Sequence, residues 1–274
     1  MKTNNYAFLL SALLLSACSG TGSKSSQQET KTKETEMVTI QRILPIHNDF
    51  FGITNIGSIN IEFSEGPCGV VVEGDSILIS NLRYEVDGGL LTLSIPSEEN
   101  LDINQYETNP RINAKISCPE LRIFSNIGGG NIKLPVLHSS KIDMGGMGGG
   151  SITADSIFCP DFKYQSNSNT KASFKYIEGE NAKILCYGIA PVEANVVMSK
   201  LTVIDASNQN DLNFKVKSSS IDLISTGSGT TTLDLEADEL TASVQGNGKL
   251  ILNGKANKKV LKNGKNAVIE DNLQ

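Results

Sequence analysis

The chain has 274 residues, of which 39% are hydrophobic and 20% are charged, and this is the composition of a folded protein. The formal net charge is −6, which argues against the basic footprint of a nucleic-acid-binding protein. Only 5% of the residues are aromatic and tryptophan is missing, which disfavours broad stacking platforms for sugars or bases. The two histidines, His47 and His138, are too few for a multi-histidine metal site, and a histidine-based triad is not expected.

The N-terminus carries the features of an export signal. Lys2 precedes a compact apolar stretch from Tyr6 to Leu15, which is too short to span a bilayer. The stretch leads into Leu-Ser-Ala-Cys, ending at Cys18, and this pattern resembles the lipobox of bacterial lipoproteins. The resemblance implies cleavage before Cys18, lipidation of that cysteine and, because Ser19 and not Asp follows it, an anchor in the outer membrane. An ordinary secretory signal with a chance cysteine is the alternative.

The segment after Cys18 contains no aliphatic or aromatic side chain up to residue 36, so it is predicted to be a disordered tether. A flexible chain of this length reaches roughly 20–25 Å from its anchor. One β domain is predicted to follow the tether. The predicted division is a signal peptide 1–17, a tether 18–36 and a single β domain 37–274, which comprises an N-terminal β region 37–116, repeated coils 117–256 and a C-terminal cap 257–274.

Four further cysteines lie in the predicted domain, at Cys68, Cys118, Cys159 and Cys186. None of them forms a CxxC pair or a Cys/His metal spacing, so neither bound zinc nor a redox motif is expected. In an exported protein such cysteines can pair as disulfides, and the sequence leaves their pairing open. The sequence therefore predicts no cofactor, no metal and no nucleic-acid partner.

Downstream of residue 116 the sequence repeats every 19 to 21 residues, and each repeat carries two alternating apolar pairs and one single apolar position. The first pairs are Leu121/Ile123, Ile142/Met144, Phe162/Tyr164, Ala182/Ile184, Leu201/Val203, Ile221/Leu223 and Leu240/Ala242. The second pairs are Ile132/Leu134, Ile152/Ala154, Ala172/Phe174, Val192/Ala194, Leu212/Phe214, Leu233/Leu235 and Leu250/Leu252. The single positions are Ile116, Leu137, Ile157, Ile177, Val197, Val216 and Leu235.

This pattern predicts an all-β protein with the architecture of a parallel β-helix, or β-solenoid, built from coils of about 20 residues. Each pair alternates with mostly polar residues, as one face of a strand does, and the intervals between pairs are too short for helices. Equivalent apolar positions then stack about 4.8 Å apart and form a continuous core. An antiparallel sandwich is the competing architecture, but it accounts poorly for a tight period of about 20 residues.

Glycines concentrate at one place in the repeat. The run GGMGGGS, residues 145–151, lies between a first and a second pair, and the other repeats have mostly small or polar residues there. Glycine at such a corner permits a positive φ and a close approach of stacked backbones. A phosphate-binding loop requires GxxxxGK[ST] before a helix, whereas a strand follows this run. The run is therefore predicted to be a structural corner of the coil.

Residues 37–116 lack the period and are predicted to be β-structure that is continuous with the solenoid and covers its N-terminal end. IGSINIEFSEG and GVVVEGD are predicted strands, and DSILISN is a predicted helical turn. LRYEVDGGLLTLSIP is a predicted hairpin that turns at Asp87-Gly88-Gly89, and SEENLDINQYETNP is a predicted polar loop. The lysine-rich NKKVLKNGKNAVIEDN suits a cap at the other end.

These motifs together resemble a known family. FFGITNIGSINIEFSEGPCGVVVEGD, the Asp-Gly-Gly hairpin, the small-residue corners and the closing GNGKLILNGKA are similar to the head GIN domain, whose members are described as putative auto-transporter adhesins. The resemblance covers residues 50–256. It implies an all-β solenoid that is common in lipoproteins of Bacteroidetes-type bacteria, and it supplies no catalytic residues.

Carboxylates of the repeat are candidates for glycan-cleaving chemistry, which some parallel β-helix lyases and hydrolases perform. Asp143, Asp205 and Asp222 are predicted to face solvent. Asp143 and Asp222 lie four coils apart, about 19 Å at the rung spacing, whereas a glycosidase pair requires about 5–10 Å. The outward residues between them are Lys163, Lys183 and Thr202. The sequence therefore predicts no catalytic pair.

The sequence predicts a lipid-anchored, non-enzymatic β-solenoid of the cell envelope, either periplasmic or surface-exposed, that acts in adhesion or as a scaffold. A glycan or a protein is the expected ligand, bound on the flat faces of the solenoid. Tyr164 is predicted to lie in the core, while Tyr106, Tyr176 and Tyr187 can contact a partner. The alternatives are a carbohydrate-active β-helix enzyme and a regulatory partner in envelope stress.

Overall fold

The computed structural model describes residues 38–96, 112–206 and 211–274. Its strands belong to one sheet that coils into a parallel β-solenoid of about seven turns, each of roughly 20 residues, which confirms the predicted fold class. The predicted signal peptide, the tether and the loop SEENLDINQYETNP lie outside the described residues.

The described part of the chain contains one short helix, α1 (Ser76–Asn81), and eighteen strands. The strands of the N-terminal region are β1 (Thr39–Ile43), β2 (Gly52–Ile56), β3 (Ile59–Glu65), β4 (Gly69–Asp75), β5 (Arg83–Asp87), β6 (Leu90–Ser94) and β7 (Ile112–Cys118). The strands of the first repeats are β8 (Ile123–Asn126), β9 (Asn131–His138), β10 (Lys141–Gly146), β11 (Ser151–Phe158) and β12 (Asp161–Ser166). The later strands are β13 (Lys171–Cys186), β14 (Val192–Asp205), β15 (Asp211–Ser225), β16 (Thr230–Val244), β17 (Lys249–Asn263) and β18 (Val268–Leu273).

Equivalent residues of successive coils stand directly on one another. Met144 of β10 pairs with Phe124 on one side and with Tyr164 on the other, and all three side chains are buried. On the opposite wall, Phe174 packs its ring edge-on against Tyr164, with the ring centroids 5.0 Å apart. Inward side chains from the two walls therefore fill a continuous apolar core, which is the main source of stability in such a stack.

The prediction for the first coil is wrong by one residue. Ile123 is 38% exposed, whereas its neighbour Phe124 is fully buried and pairs with Met144. The step of 21 residues from Leu121 to Ile142 reflects this shift, because the later steps are 19 or 20 residues. Leu121 is buried as well, in the segment that leads into β8.

Two later positions are also corrected. In β16 the second inward pair is Thr231/Leu233, and the predicted Leu233/Leu235 is displaced because the threonine occupies an apolar slot. A β-bulge in β13 gives that strand one extra residue relative to β14, so that Val196, not Val197, takes the buried single position. The bulge also coincides with the change of the repeat from 20 to 19 residues.

The N-terminal region is continuous with the solenoid, as predicted, but its strands enter the stack out of chain order. A rung is defined as the two strands at one level of the stack. β2 pairs in parallel with both β6 and β8, and β3 pairs in parallel with both β7 and β9. The rung of β2 and β3 therefore lies between the rung of β6 and β7 and the first coil of the repeat. Asn-Ile-Gly at 55–57 recurs at 126–128, where Asn55 contacts Asn126 across the stack.

Antiparallel strands complete this end of the molecule. β4 pairs with β7, and β1 pairs with β4, both antiparallel. β5 and β6 form the predicted hairpin, whose turn places Gly88 and Gly89 at φ +56° and +79°, as a type I′ turn requires. The predicted helical turn is confirmed as α1, which begins after Asp75, whose carboxylate accepts the N–H of Ile77.

At the C-terminal end the coil continues through β17 and β18, and two charged residues take inward positions. Lys259 stands in register with the buried Leu240, and Asp271 stands in register with the buried Leu252. The Lys259 ammonium donates to the Asp271 carboxylate, so an ion pair closes the end of the apolar core. The Lys259 hydrogen bond also lowers the pKa of Asp271.

Candidate functional site

The glycine corner is the turn between the two strands of a coil, and its backbones are in direct contact from coil to coil. A Cβ on Gly148 would lie 2.3 Å from the carbonyl oxygen of Gly128, and a Cβ on Gly128 would lie 1.8 Å from that of Gly57. No side chain fits at these distances, so the corner requires glycine for packing. The described corners comprise residues 57–58, 127–130, 147–150, 167–170, 187–191, 226–229, 245–248 and 264–267.

Polar side chains support the corner from inside the core. The amide of Asn55 donates to the side-chain oxygen of Asn126 at 2.8 Å, and Asn126 donates to the carbonyls of Gly128 and Gly130. Further along the same inward row, the Ser225 hydroxyl donates to the carboxylate of Asp205 at 3.0 Å. These bonds satisfy polar groups that the tight turn buries.

Asp205 is therefore not solvent-facing, and that prediction is wrong. Its side chain is 1% exposed, because residues 201, 203 and 205 share one side of the strand and that side points inward. The carboxylate belongs to the row of polar side chains beneath the corner, beside Ser225. It is a structural group and is unavailable to a ligand on the outer faces.

An exposed row of large apolar side chains follows the outside of the glycine corner. The backbone N–H of Ile127, Met147, Asn167 and Tyr187 donates to the coil before it at the same relative position, so these residues stack in one line. Asn167 is the polar member of this line. The corner ridge is defined as the large apolar residues Ile56, Ile127, Met147, Tyr187 and Ile189, which are between 39% and 59% exposed.

The corner ridge ends abruptly beyond Tyr187. The next residues in the same line are Ala206, Thr226 and Gln245, all exposed and none of them large and apolar. From Ile56 to Tyr187 there are four steps of about 4.8 Å, so the ridge is roughly 19 Å long, and it is one residue wide except at the last corner, where Ile189 lies beside Tyr187. Sequence reasoning assigned the corner a structural role only; the large residues embedded among the glycines, such as Met147, were the signal for the ridge.

The candidate acids of the outer faces are each engaged with a partner. Asp143 pairs with the Lys163 ammonium at 3.0 Å, and Asp222 pairs with Lys200 at 3.4 Å. The residues in register between Asp143 and Asp222 on successive coils are two lysines and a threonine, as predicted, so the two carboxylates are not in contact. Within residues 38–96, 112–206 and 211–274, no cluster of three or more His, Cys, Asp or Glu side chains could hold a metal ion.

The aromatic residues of the outer face form a stack rather than a platform. His138 lies parallel to Phe158 with the ring centroids 5.2 Å apart, and Phe158 lies 6.0 Å from Tyr176. The His138 ring also contacts Glu65, and the Tyr176 hydroxyl donates to Glu178. The Tyr176 ring is tilted by 58° to that of Phe158. Because His138 covers one face of Phe158 and Tyr176 is tilted, the three rings do not form one flat surface for a sugar.

Tyr164 is fully buried, as predicted. Burial raises the pKa of its phenol above the ordinary value, away from ionisation, and its hydroxyl finds no hydrogen-bond partner within the described part of the chain. Tyr187, by contrast, is exposed on the corner ridge, as its predicted role in a partner contact requires. Tyr106 lies outside the described residues.

A shallow groove of about 360 Å³ lies at the other corner of the later coils. Its charged residues alternate in sign down one column, from Lys217 to Glu236 and then to Lys255. Lys217 and Glu236 pair at 3.4 Å, so neighbouring charges largely neutralise one another. The groove therefore lacks the net charge that would select an ionic ligand.

Cys18, the predicted lipidation site, lies outside the described residues. In the part of the chain that the structure describes, no helix has the length and apolar character needed to cross a membrane.

The fold and its surfaces define a repetitive β-solenoid with tightly stacked glycine corners and an exposed apolar ridge. The family model described as "Putative auto-transporter adhesin, head GIN domain" matches residues 49–181 and 175–263, and the chain belongs to this family. A comparison with functionally curated proteins finds no match.

Two solved structures share the fold. A putative lipid binding protein from Parabacteroides distasonis ATCC 8503 has a TM-score of 0.64 at 18% identity, over 85% of this chain and 96% of that one. A putative adhesin from Bacteroides fragilis NCTC 9343 has a TM-score of 0.58 at 16% identity, with the same coverage of 85% and 96%. At these identities the similarity establishes the common architecture.

Proposed function

We propose that this protein is a lipid-anchored, non-enzymatic interaction module of the cell envelope that binds a protein partner along the corner ridge. The ridge is the observation that carries this proposal, because it gathers five exposed large apolar side chains at one edge of the molecule. Four of them stand in a line that Asn167 interrupts, and Ile189 lies beside that line. Contiguous exposed apolar surface of this kind marks interaction sites in soluble domains. The family description and the name of the Bacteroides relative, both adhesins, agree with such a role.

The shape and charge of the ridge favour a protein over a lipid surface. A narrow ridge roughly 19 Å long matches an extended segment or the edge of another domain. The described corners from residue 57 to residue 191 contain no lysine or arginine, whereas helices and patches that attach to anionic membranes depend on such residues. The relative named as a lipid binding protein makes lipid the natural alternative to test.

The outer faces support binding better than catalysis. Their carboxylates Asp143, Asp155 and Asp222 are each held by a lysine of a neighbouring coil. A glycosidase needs two carboxyl groups about 5–10 Å apart with separate pKa values, and these acids are instead neutralised one by one. The family and the relatives, named as adhesins or a lipid binding protein, agree with a non-enzymatic role.

The test places a photoreactive phenylalanine analogue at Met147 in the Cys18→Ala background, so that a lipid anchor does not contribute. We expect irradiation of whole cells to give a protein adduct at position 147 and none at Thr226, which lies on the same line in its polar half. The adduct should disappear when Ile127→Ser and Tyr187→Ser are added. Once the adduct partner is identified, the same double change should weaken its affinity at least tenfold, because buried apolar anchors dominate interfaces.

The matched control is Ala206→Ser with Gln245→Ser, which alters the same line beyond the ridge and should leave binding intact. Equal crosslinking at positions 147 and 226 would contradict the proposed surface. Binding on a glycan array that does not depend on the ridge would indicate a glycan ligand instead of a protein. Binding to protein-free phosphatidylethanolamine–phosphatidylglycerol vesicles that does depend on the ridge would indicate a lipid ligand. Protease treatment of intact cells distinguishes a surface location from a periplasmic one.

A further inference from the structure

Cys68 and Cys118 face each other at the N-terminal end of the solenoid. β4 and β7 run antiparallel, with Gly69 directly opposite Ser117. One step further along both strands, the same register places Cys68 opposite Cys118. Both cysteines are free thiols in the structure.

The two side chains also point to the same side of the sheet. Two residues further into the strands, Val70 stands opposite Ile116, and both side chains are buried in the core. Side chains alternate along a strand, so Cys68 and Cys118 continue this inward row. Cys118 is fully buried, and Cys68 is partly exposed at the rim of the core.

The backbone hydrogen bonds of this inward row show whether Cys68 and Cys118 form a hydrogen-bonded or a non-hydrogen-bonded pair of the antiparallel strands. The carbonyl of Val70 accepts the N–H of Leu44 and so faces away from β7, while the carbonyl of Cys118 accepts the N–H of Gly66. The backbone groups of the row are therefore engaged elsewhere, which makes Cys68 and Cys118 a non-hydrogen-bonded pair. In such pairs the Cα atoms are about 4.5 Å apart, within the range of about 4.4–6.8 Å that disulfides span.

Only weak sulfur contacts occupy the two thiols at present. The Cys68 sulfur accepts the N–H of Phe50 at 3.4 Å and donates to the carbonyl of the same residue at 3.6 Å. The Cys118 thiol donates to the carbonyl of Glu120 at 3.3 Å. A bond between the two sulfurs replaces thiol contacts of little energy.

We propose that Cys68 and Cys118 are oxidised to an intrachain disulfide that links the turn after β3 to the end of β7. The oxidant is a disulfide, either of an oxidoreductase or of a small molecule. One cysteine thiolate attacks a sulfur of the oxidant, forming a mixed disulfide and releasing one thiol; the second attacks the mixed disulfide and releases the other. The two cysteines lose two protons and two electrons, which leave with the two thiols of the reduced oxidant.

Cys68 makes the first attack, because it is the more accessible of the two sulfurs. Burial raises the pKa of the Cys118 thiol to about 12, so this group reacts only once the mixed disulfide has formed beside it. The disulfide does not involve the corner ridge, so the tests of the disulfide and of the proposed function are independent.

The other two cysteines serve as internal controls. Cys186 pairs in register with Ser166 and Asp205, and Cys159 follows β11 with its carbonyl against Gly179. Neither has a cysteine in a neighbouring coil at its own position. Both are buried, and burial raises the pKa of each thiol to about 12, which makes them unreactive.

The test uses the full chain in the Cys18→Ala background, reduced and then incubated with oxidised glutathione. Alkylation and intact mass should show two protected cysteines, and peptide mapping should show Cys68 joined to Cys118. Reduction of this form should lower the thermal midpoint by roughly 5–10 °C, because the bond closes a loop of about 50 residues. Cys118→Ser should abolish the redox dependence of the midpoint, and Cys159→Ser should retain it.

Four alkylatable thiols after oxidation would overturn the proposal, as would a linkage that involves Cys159 or Cys186. The thiol count on the unsubstituted pair decides the matter even where Cys118→Ser destabilises the fold. A mixed disulfide with glutathione that persists on Cys68 would also overturn it, because the second step would then be blocked.

Discussion

At the scale of single residues, the glycines of one run have unequal roles. Gly148 packs against the backbone of the coil below, where an added Cβ would lie 2.3 Å from the carbonyl oxygen of Gly128. For Gly149, the nearest atom to an added Cβ is the Gly129 Cα at 4.0 Å, which is ordinary van der Waals contact. Two adjacent glycines thus differ in whether the stacked backbones require them.

Gly148→Ala should lower the free energy of unfolding by about 1–3 kcal/mol, because the coils must separate locally to admit the methyl group. Gly149→Ala is the matched control and should change it by less than about 0.5 kcal/mol. Urea denaturation followed by circular dichroism measures both. Equal effects of the two substitutions would contradict the packing role of the corner.

Glu120 links two successive coils through a single carboxylate. It accepts hydrogen bonds from the Arg122 guanidinium, from the Ser139 hydroxyl and from the backbone and hydroxyl of Ser140. The Arg122 hydrogen bond, followed by that of the Ser140 backbone, lowers the pKa of Glu120 to about 2. The carboxylate therefore stabilises the fold while it is ionised.

The pH dependence follows from the sign of this shift. The folded pKa of Glu120, about 2, lies below the value of about 4.3 for an unfolded glutamate, so the stabilisation is present above about pH 4.3 and is lost as the pH falls toward 2. Glu120→Gln should cost about 1–2 kcal/mol at pH 7, and this difference should shrink between pH 5 and pH 2. Glu239→Gln, at an exposed ion pair, is the control. A difference that is constant with pH would refute the role of the charge.

At the scale of strands, the period of the sequence predicts most of the core, because inward positions of stacked coils recur at fixed spacing. The prediction fails where a local irregularity changes the phase, as at Phe124 and at Val196 next to the bulge of β13. It also misses the rung of β2 and β3, since that rung enters the stack 71 residues ahead of its neighbour. A search for a 20-residue period cannot find a repeat at that distance, although the shared Asn-Ile-Gly marks it.

The candidate site is less accessible to sequence reasoning than the core. The corner ridge depends on which corner residues project outward, and a segment such as GGMGGGS has no alternation from which to read that direction. Asp205 is the converse case, because the alternation of Leu201 and Val203 continues to that residue, and the prediction that it faces solvent is wrong since it departs from this alternation. Apolar periodicity thus predicts side-chain direction within strands and loses this power in turns.

The last coil is an element whose charges oppose further stacking. Lys259 and Asp271 take positions that apolar residues hold in the preceding coil, namely those of Leu240 and Leu252. Inward-pointing charges at a sheet edge are a recognised protection against edge-to-edge association. The ion pair therefore ends the core in a form that a second molecule cannot extend.

Replacing this pair by Lys259→Leu with Asp271→Leu should expose an apolar end and cause end-to-end association. Size-exclusion chromatography coupled to light scattering should then show dimers or larger species, at concentrations where the wild-type protein has a lower molar mass. Lys258→Leu with Glu239→Leu is the matched control, because it removes an ion pair from outward positions of β17 and β16. If both double variants associate to the same extent, nonspecific association of the added leucines explains the result, and the capping role of the ion pair is excluded.

At the scale of the whole molecule, ion pairs connect neighbouring coils on the outer faces. Lysines pair with carboxylates of neighbouring coils, as in Asp143–Lys163, Asp155–Lys175 and Lys217–Glu236. Each exposed pair contributes little, about 0–1 kcal/mol, but together they leave the faces nearly neutral. The corner ridge differs from these faces because its exposed side chains are large and apolar.

Presentation of that edge depends on how the molecule is held in the envelope, and Cys18 is the predicted attachment point. Cys18→Ala should move the protein from the detergent phase to the aqueous phase of a phase-separation assay, because loss of the acyl chains removes the anchor. Cys159→Ala, at a buried thiol of the solenoid, should leave the distribution unchanged. If the Cys18→Ala protein stays with the membrane and additional ridge substitutions then release it, the ridge itself binds lipid. If it stays regardless of the ridge, the predicted lipoprotein signal is wrong.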